Sequence, residues 1–509
     1  MHYLHLMVVA VALLSMAHPI PAAEPASNRT YCNPLSLPNY PVGRLCREIT
    51  NGRPSDDWMW RLGYQEQFRE LADVSALWHE GKWILYPSVD MAWISEDNGG
   101  TWKHAPLNVR DLGYAPTIVK HRNQFLLMAS DSPLYVASSP LGPFRELGKI
   151  ELQFAASMPP PIDPMLFSDS DQRLYYYWGC SPSGGIWGVE LDRDQPTQVI
   201  GRPQELIPFR PDRFPWEAVG EWNQNPNRGW VEGAWMLKHN GRYYLTYSAG
   251  GTENRTYAMG CYWGDSPLGP FHPQKRNPIL RTVDGLITGS AHGCIVPGPN
   301  DELWAFYTIR ASVVHAFERR LGMDRAYFDS DGELYVRGAT SLPQWLPGHQ
   351  KSDSPATPWL PLNGELRTVG STNLAKLEGR FAVDNDLRTW WQADSSDEQP
   401  ELISTFMAPA TVHAVRIVWR DVGLDTAHGV VAGPFGYRVE LETVDGKWQT
   451  IVDRISSQED LLVDYQECQP TVGQRIRLVV VNWPPGITPA VVEFTAFGIT
   501  QRASQISGL

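Results

Sequence analysis

Three carboxylates and a histidine occupy equivalent places in a repeated sequence pattern, and together they could perform acid–base chemistry. The pattern is a short apolar strand, a polar turn and a second strand rich in aromatic residues, and it occurs five times. The first residues of the five segments, called the openers here, are Asp73, Ala115, Asp163, Glu232 and His292. If the units repeat around an axis, the openers converge on that axis. One carboxylate could then protonate a leaving group while another activates water, as cleavage of a glycosidic bond requires.

The spacing of the openers predicts the fold that must position them. Successive openers are separated by 42 residues (Asp73 to Ala115) at the least and by 69 residues (Asp163 to Glu232) at the most. Blades of four strands repeat roughly every 40–45 residues in β-propellers, and inserted loops lengthen the repeat. Short aromatic and apolar runs separated by turn residues are typical of strands. We therefore predict an all-β protein in which residues 30–340 form a five-bladed β-propeller.

The rest of the chain predicts a second domain. The length of 509 residues exceeds one ordinary domain. Residues 341–365 are polar and rich in proline, so we predict a linker there. Alternating strands resume in residues 366–503, which we predict to form a β-sandwich.

Composition restricts the class of ligand. The formal net charge is −13, which argues against nucleic acid as a partner because a nucleic-acid binder needs a basic face. A neutral ligand such as a carbohydrate is compatible with this charge, and so is bound calcium. The 21 tryptophans belong mostly to the core of such a fold, but a minority usually stack against sugars.

The N-terminal segment predicts export. An apolar run too short to cross a bilayer comfortably is followed by small residues, which indicates a signal peptide over residues 1–23. An uncleaved membrane anchor is the alternative, because histidines replace the usual basic residues before the run. No later segment is long and apolar enough to cross a membrane. We expect a periplasmic or extracellular protein that has no membrane contact after cleavage.

The six cysteines are too few for a disulfide framework in a chain of this length. Cys32 and Cys46 flank a short polar loop and could pair after export. Cys180, Cys261 and Cys294 lie in strand-like runs, so we predict buried thiols there.

The first domain resembles the family 43 glycoside hydrolases. The resemblance rests on Ala72-Asp73, Ile162-Asp163-Pro164, Val231-Glu232-Gly233 and Ala291-His292-Gly293, and it extends from about Asn33 to Val336. It implies inverting hydrolysis on a five-bladed propeller, with Asp73 as the general base and Glu232 as the general acid. Asp163 would orient the acid and raise its pKa. His292 would contact a cation such as calcium in the channel, through water.

The assignment of the base departs from the family pattern. The family usually has proline after the base, whereas valine follows Asp73 here. Five nearby carboxylates are therefore alternatives: Asp56, Asp57, Glu66, Glu70 and Asp90. Asp73 is preferred because only it holds the opener position of the first unit.

Candidates for sugar contacts lie on or near the segments that link the units. They are Trp93, Tyr114, Trp178, Arg255, Tyr257 and Arg310. Most of the aromatic members could equally pack between blades. A long insertion over residues 210–225, directly before Glu232, is expected to shape the pocket.

The second domain resembles discoidin (coagulation factor type C) modules. The resemblance rests on the segment from Phe381 to Trp390 and on the strands that follow it. It implies either carbohydrate binding or a role as a spacer. It also implies a structural calcium ion at Asp384 and Asp386 in the turn that precedes Trp390.

The sequence thus predicts an inverting glycosidase acting on plant-type polysaccharide or oligosaccharide and releasing α-L-arabinofuranose or β-D-xylose. One alternative is a carbohydrate-binding propeller without catalysis. The other is an enzyme that releases galactose or galactofuranose on the same scaffold, since propeller families change specificity through loops.

Overall fold

The computed structural model describes residues 29–39, 70–88, 91–109, 112–153, 158–311, 317–349, 356–425 and 428–500. The predicted signal peptide lies outside these residues, and so do the predicted disulfide partner and most of the alternative bases: Cys46, Asp56, Asp57, Glu66 and Asp90. None of the helices within the described ranges is long and apolar enough to cross a membrane.

Five antiparallel sheets of four strands follow one another in the first part of the described chain, as predicted. A short strand, β1 (Thr30–Tyr31), precedes them. The strands of blades 1 and 2 are β2 (Ser75–His79), β3 (Lys82–Tyr86), β4 (Met91–Ser95), β5 (Lys103–Pro106), β6 (Thr117–His121), β7 (Gln124–Met128), β8 (Leu134–Ala137) and β9 (Arg145–Gly148). Blade 3 contains β10 (Met165–Ser168), β11 (Leu174–Trp178), β12 (Ile186–Leu191) and β13 (Val199–Ile207). Blades 4 and 5 contain β14 (Glu232–His239), β15 (Arg242–Ala249), β16 (Ala258–Gly264), β17 (His272–Pro273), β18 (Thr288–Pro297), β19 (Leu303–Arg310), β20 (Arg319–Phe328) and β21 (Leu334–Val336).

The blades close into a ring through their first strands. Strands β2, β6, β10, β14 and β18 each contact the first strand of the next blade, and β18 contacts β2 again. The strands are rich in apolar and aromatic residues on both faces, because each blade is covered by a blade on either side. The apolar cores lie between neighbouring blades, and Trp83 and Phe306 for example meet edge to face at 4.9 Å. The fold therefore places the start of every first strand near one axis.

A single eight-stranded antiparallel sheet makes up the C-terminal part. After β22 (Gln344–Trp345), which pairs with β1, its strands are β23 (Leu360–Pro361), β24 (Thr368–Gly370), β25 (Trp391–Gln392), β26 (Glu401–Trp419), β27 (Gly436–Thr443), β28 (Trp448–Asp453), β29 (Val463–Asn482) and β30 (Ala490–Thr500). Register shifts interrupt the pairing of the long strands β26 and β29, which allows the sheet to bend around its own apolar core. Short 3₁₀ segments occupy Pro215–Glu217, Pro299–Asp301, Glu365–Arg367 and Gly379–Ala382.

The described part of the predicted linker packs against both halves of the molecule. Strand β22 lies in it and pairs with β1, while Trp359 and Leu362 are buried. Arg416 of the C-terminal sheet donates to the carbonyl oxygens of Asn33 at 2.8 Å and Ser341 at 2.9 Å. The described part of this segment is therefore a packed junction between the two parts.

Candidate active site

A left-handed backbone position recurs in all five units, at or just before the start of the first strand in blades 1 to 4 and within β18 in blade 5. The φ angles of Asp73, Ala115, Asp163 and His292 are 52°, 50°, 56° and 42°, and that of Gly233 is 60°. Residues other than glycine adopt this left-handed region rarely. The backbone therefore repeats five times even though the side chains differ. In blade 4 the residue at the repeated angle is Gly233, so the carboxylate of Glu232 comes one residue earlier than the other openers.

Four of the openers are tied to the preceding blade by the same kind of hydrogen bond. The opener N–H donates to a hydroxyl group that lies within two residues of the end of the preceding blade's second strand. The pairs, called joints here, are Asp73 N to Thr308 Oγ1 (2.8 Å), Ala115 N to Ser88 Oγ (3.1 Å), Asp163 N to Ser130 Oγ (3.0 Å) and His292 N to Ser248 Oγ (2.8 Å). The joints fix the height of each opener in the channel.

The joint between blades 3 and 4 differs from the other four. Cys180 lies two residues beyond the end of β11, as Ser88 and Ser130 lie two residues beyond the ends of their own strands. Its Sγ donates to Oε2 of Glu232 at 3.0 Å, so the contact is made to a side chain rather than to the backbone. Burial raises the pKa of the Cys180 thiol well above its ordinary value, and the group therefore remains a donor. Cys261 and Cys294 are buried as predicted, whereas Cys180 belongs to the site.

The carboxylates and the histidine that were predicted to converge lie together in the channel. A carboxylate oxygen of Asp163, the Cys180 sulfur and a carboxylate oxygen of Glu232 all lie within 4.8 Å of one another. His292 Nδ1 lies 3.3 Å from Oδ1 of Asp73 and 4.0 Å from Oε1 of Glu232. The sum of these two distances is the upper limit for the separation of the two oxygens. This limit is compatible with the lower part of the range of roughly 6.5–9.5 Å that an inverting pair requires.

Arg319 holds Asp73 in its ionised form. Its Nη1 and Nη2 donate to the two carboxylate oxygens of Asp73 at 2.9 and 3.0 Å, and Ser88 adds a bond of 3.1 Å. Burial alone would raise the pKa of Asp73, but Arg319 and then His292 outweigh it and the net pKa is lowered. Arg319 also pairs with Glu70, whose Oε2 accepts from the Tyr114 hydroxyl at 3.3 Å. Asp73 is thus suited to accept a proton from water.

Glu232 and Asp163 are shifted in the opposite direction. Burial raises the pKa of both carboxyl groups, and it raises that of Asp163 to about 7. Tyr257 donates to Oε1 of Glu232 at 2.5 Å and His292 lies nearby, and both lower the pKa of Glu232. Burial outweighs them, so the net pKa of Glu232 is raised. Burial lowers the pKa of His292, but the surrounding carboxylates outweigh it and raise the net value. Two carboxyl groups pushed apart in pKa are the arrangement that divides the roles of acid and base.

Two of the predicted sugar contacts are wrong. Trp93 lies on the third strand of blade 1, fully buried, and its Nε1 donates to the Pro38 carbonyl at 2.7 Å. Trp178 is fully buried between blades, where it stacks on Tyr176 with ring centroids 5.1 Å apart. Both rings fill the core because the strand alternation turns them away from the channel.

The remaining predicted contacts lie at or above the site. Tyr257 touches Glu232, and Tyr114 touches Glu70, as described above. Arg310 donates to Oε1 of Glu221 at 2.8 Å, and Arg255 lies 3.4 Å from Oε2 of the same carboxylate. Both arginines line a cavity above the channel. Glu221 belongs to the insertion that was expected to shape the pocket.

Sequence reasoning missed Arg319 and the role of Cys180. Arg319 opens the third strand of blade 5, where no repeated motif singles it out. Cys180 could have been found, because the hydroxyl residues Ser88, Ser130 and Ser248 follow their openers at nearly the same distance along the chain. A comparison of the five units at that position would have shown a thiol in place of a hydroxyl.

The predicted cation ligands fit an ion to different degrees. His292 Nδ1 faces a carboxylate oxygen of Asp73 at 3.3 Å, and a channel cation that it contacts through water stays a prediction. Both carboxylate oxygens of Asp386 are paired with Arg388. Those of Asp384 accept from the Thr389 hydroxyl at 2.7 and 2.9 Å, a neutral donor that an ion could replace. Asp384 is therefore the better candidate for a calcium ligand.

Comparison with known proteins identifies the family of this chain and several relatives. The family described as glycosyl hydrolases family 43 matches residues 75–334. The β-D-galactofuranosidase xynD of Aspergillus niger is 28% identical over 197 residues, which are 38% of this chain and 51% of the relative. A xylosidase/arabinosidase of Bacteroides ovatus is 28% identical over 224 residues, which are 39% of this chain and 62% of the relative. The chain thus spans about half to three fifths of the length of these curated relatives.

Among solved structures, one described as a thermostable family-43 glycoside hydrolase is similar to this chain. The identity is 24% and the TM-score 0.46, and the similarity covers 62% of this chain and 99% of that one.

Proposed function

The chain belongs to glycosyl hydrolase family 43, and on that basis we propose that it is an inverting glycoside hydrolase. The observation that carries the proposal is the meeting of Asp73, Asp163, Glu232 and His292 in one channel, with the pKa of Asp73 lowered and that of Glu232 raised. A binding protein has no need of carboxyl groups whose pKa values are separated in this way, whereas acid–base hydrolysis depends on it.

The proposed mechanism is a single displacement. Asp73 takes a proton from a water molecule, whose oxygen attacks the anomeric carbon. Glu232 gives its proton to the leaving glycosidic oxygen as that bond breaks. Asp163 and the Cys180 thiol hold Glu232 in place, and His292, whose pKa the surrounding carboxylates raise, lies between Asp73 and Glu232 in the buried channel.

The proposed substrates are plant-type polysaccharides or oligosaccharides, from which the enzyme releases α-L-arabinofuranose or β-D-xylose. The match to a xylosidase/arabinosidase supports this choice. A second candidate is release of galactofuranose, which the match to a β-D-galactofuranosidase favours. The insertion before Glu232 is where the two would differ, because it forms part of the cavity wall above the acid.

The test is a profile of products and of their configuration. Purified protein is incubated with arabinan, xylan, arabinogalactan and a panel of aryl glycosides, and the released monosaccharides are identified. Proton NMR of the first product then gives the anomeric configuration, which should be opposite to that of the substrate. Retention of configuration would contradict the mechanism. Tight binding of a glycan without turnover on any substrate would instead support the carbohydrate-binding propeller.

Two further expectations belong to this proposal. We propose a structural calcium ion at Asp384, and chelation should then lower the unfolding temperature of the wild type but not that of an Asp384→Asn variant. We also propose export through cleavage near residue 23, which N-terminal sequencing of the mature protein tests.

A further inference from the structure

A cavity lies between the propeller and the C-terminal sheet. Its volume is about 580 Å³, and both parts of the molecule contribute to its walls. The side chains that matter are Trp222, Arg255 and Arg310 from the propeller and Asp384, Asp386 and Arg388 from the C-terminal part. The volume is that of a typical small-molecule site.

Two residues of the cavity wall, Arg310 and Arg255, each lie two positions along the chain from a residue that contacts the catalytic carboxylates. Arg310 follows Thr308 by two residues along β19, so the two side chains point to the same face of the blade. Thr308 is the joint residue that contacts Asp73. Two residues of strand correspond to a rise of roughly 7 Å. On the other side, Arg255 lies in the turn before β16 and precedes Tyr257, whose hydroxyl donates to Glu232, by two residues. A glycan extending outward from the acid would enter this cavity.

The propeller wall of the cavity is held by ion pairs. Glu221 pairs with Arg310 at 2.8 Å and with Arg255 at 3.4 Å, and Arg255 also donates to Asp284 at 3.2 Å. The Arg255 guanidinium lies over the Trp222 ring at 4.3 Å from its centroid. Both arginine side chains are largely buried, so these planar groups have one arrangement rather than many.

The C-terminal wall is fixed to the propeller by apolar packing. Leu286 of the propeller is fully buried in a cluster with Leu387, Val418, Val463 and Val492 of the C-terminal part. Leu387 belongs to the same loop as Asp384, Asp386 and Arg388. The loop therefore faces the cavity as a built surface and does not depend on a movable domain orientation.

The chemistry of the walls fits neutral sugar residues. Each arginine is paired with a carboxylate, so little positive charge remains to attract an anion. The paired groups present fixed donors and acceptors that match sugar hydroxyls. Trp222 is 74% exposed, and an exposed indole beside such groups is suited to stack against a sugar ring.

We propose that this cavity binds the neutral sugar residues on the leaving-group side of the substrate, so that the C-terminal part forms one wall of the substrate site. This inference rests on the proposed glycosidase function. It assigns to Trp222 and Arg388 the recognition of chain length beyond the scissile bond.

The experiment uses the full-length protein and compares two substrates. One is an aryl monoglycoside, which does not reach the cavity, and the other is an oligosaccharide of at least three residues carrying the same terminal sugar. The measured quantity is the ratio of kcat/KM on the oligosaccharide to that on the aryl glycoside. Trp222→Ala should lower this ratio about tenfold, and Arg388→Ala should lower it several-fold.

Arg380→Ala is the matched control. Arg380 pairs with Glu378 two residues away, just as Arg388 pairs with Asp386, but it does not line the cavity. Its ratio should equal that of the wild type. An unchanged ratio in Trp222→Ala would overturn the proposal, and an unchanged ratio in Arg388→Ala alone would remove the C-terminal part from the substrate site.

Failure of the proposed function has a different outcome. A wild type that cleaves neither substrate would refute the glycosidase, and the cavity would then be tested by titrating the oligosaccharide into Glu232→Gln protein in a calorimeter. Addition of Trp222→Ala to that protein should weaken binding about tenfold. Equal binding with and without Trp222 would reject the cavity as a sugar site.

Discussion

The joint between blades 1 and 2 and the joint between blades 3 and 4 occupy equivalent places and do different work. At the first, the Ser88 hydroxyl accepts from the backbone of Ala115, an opener without a functional group, and itself donates to Asp73 of its own blade. At the second, the Cys180 thiol donates to the carboxylate of Glu232. The strand ends and the left-handed backbone recur at both places. The backbone thus sets where a group stands in the channel, and single side-chain exchanges decide whether that place is structural or catalytic.

The other three joints combine both properties. Asp73, Asp163 and His292 keep the hydroxyl bond from the preceding blade and add an ionisable side chain. Only where the proton donor Glu232 stands is the hydroxyl replaced by a thiol. The strain of the left-handed backbone, about 1 kcal/mol or more at each residue other than glycine, is present in four of the five units, including the one without chemistry, and Gly233 relieves it in blade 4. The strain therefore belongs to the scaffold and cannot by itself mark a catalytic residue.

The strongest test of this difference compares substitutions at Glu232 and at Ala115. If both substitutions changed the activity equally, the two joints would not differ in function. Glu232→Gln removes the proton of the general acid and should lower kcat/KM by about a thousandfold on substrates with poor leaving groups. The loss should shrink for aryl glycosides whose leaving group needs no proton. Ala115→Gly is the control at the silent joint and should stay within about twofold of the wild type, because glycine accepts the positive φ. Similar losses in both variants would mean that the fold rather than the chemistry was damaged.

Arg319→Lys tests whether the joint or the guanidinium sets the state of Asp73. Lysine keeps one charge but cannot bond both carboxylate oxygens, so the pKa of Asp73 should rise. Catalysis needs this group ionised, and the acid limb of kcat/KM should therefore move to higher pH by about one unit. At pH values on the acid limb the activity should therefore fall about tenfold, whereas at neutral pH this titration should leave it close to that of the wild type.

Arg325→Lys is the matched control for that change. Arg325 lies on the same strand and pairs with Glu302 at 2.8 Å, away from the channel. Its pH profile should match the wild type. An acid limb that stays in place in Arg319→Lys would mean that Ser88 and the joint hydroxyl suffice to hold Asp73.

Substitution of Cys180 tests whether its hydrogen bond sets the pKa of Glu232. This hydrogen bond favours the charged form of Glu232, so Cys180→Ala should raise the pKa of that group. Because the acid must be protonated to act, the alkaline limb of kcat/KM should move to higher pH by about half a unit to one unit. Cys180→Ser restores a donor and should bring the limb back. Cys261→Ala, which removes a buried thiol elsewhere in blade 4, should leave it unchanged. If the alkaline limb of kcat/KM stays at the same pH in all three variants, the Cys180 thiol contributes to packing only and does not set the pKa of Glu232.

The sequence predicted the scaffold better than the contacts within it. Strand alternation and turn residues are local, so five units and their openers could be recognised without a structure. The bond from Arg319 to Asp73 joins residues separated by 246 positions, and no local pattern indicates it. Trp93 and Trp178 failed as sugar contacts because aromatic residues fill the space between blades as readily as they line a pocket. The sequence predicted Arg255 and Arg310 as separate sugar contacts. Only the structure shows that they line one cavity together with residues of the C-terminal part.

The smallest expected effect is on the free energy of unfolding. It concerns the joint of Ser130 with Asp163, whose hydroxyl group takes no part in the reaction. Ser130→Ala leaves the buried backbone N–H of Asp163 without its acceptor, which costs about 1–2 kcal/mol. The unfolding temperature should fall by roughly 2–4 °C in scanning calorimetry. Ser138→Ala is a nearby control in the same blade, because Ser138 is exposed and belongs to no joint. If the temperature fell equally in both, the fall would not be due to the joint. A fall confined to Ser130→Ala, with the Asp163 pKa and the pH profile unchanged, would show that the joints stabilise the ring independently of the chemistry it carries.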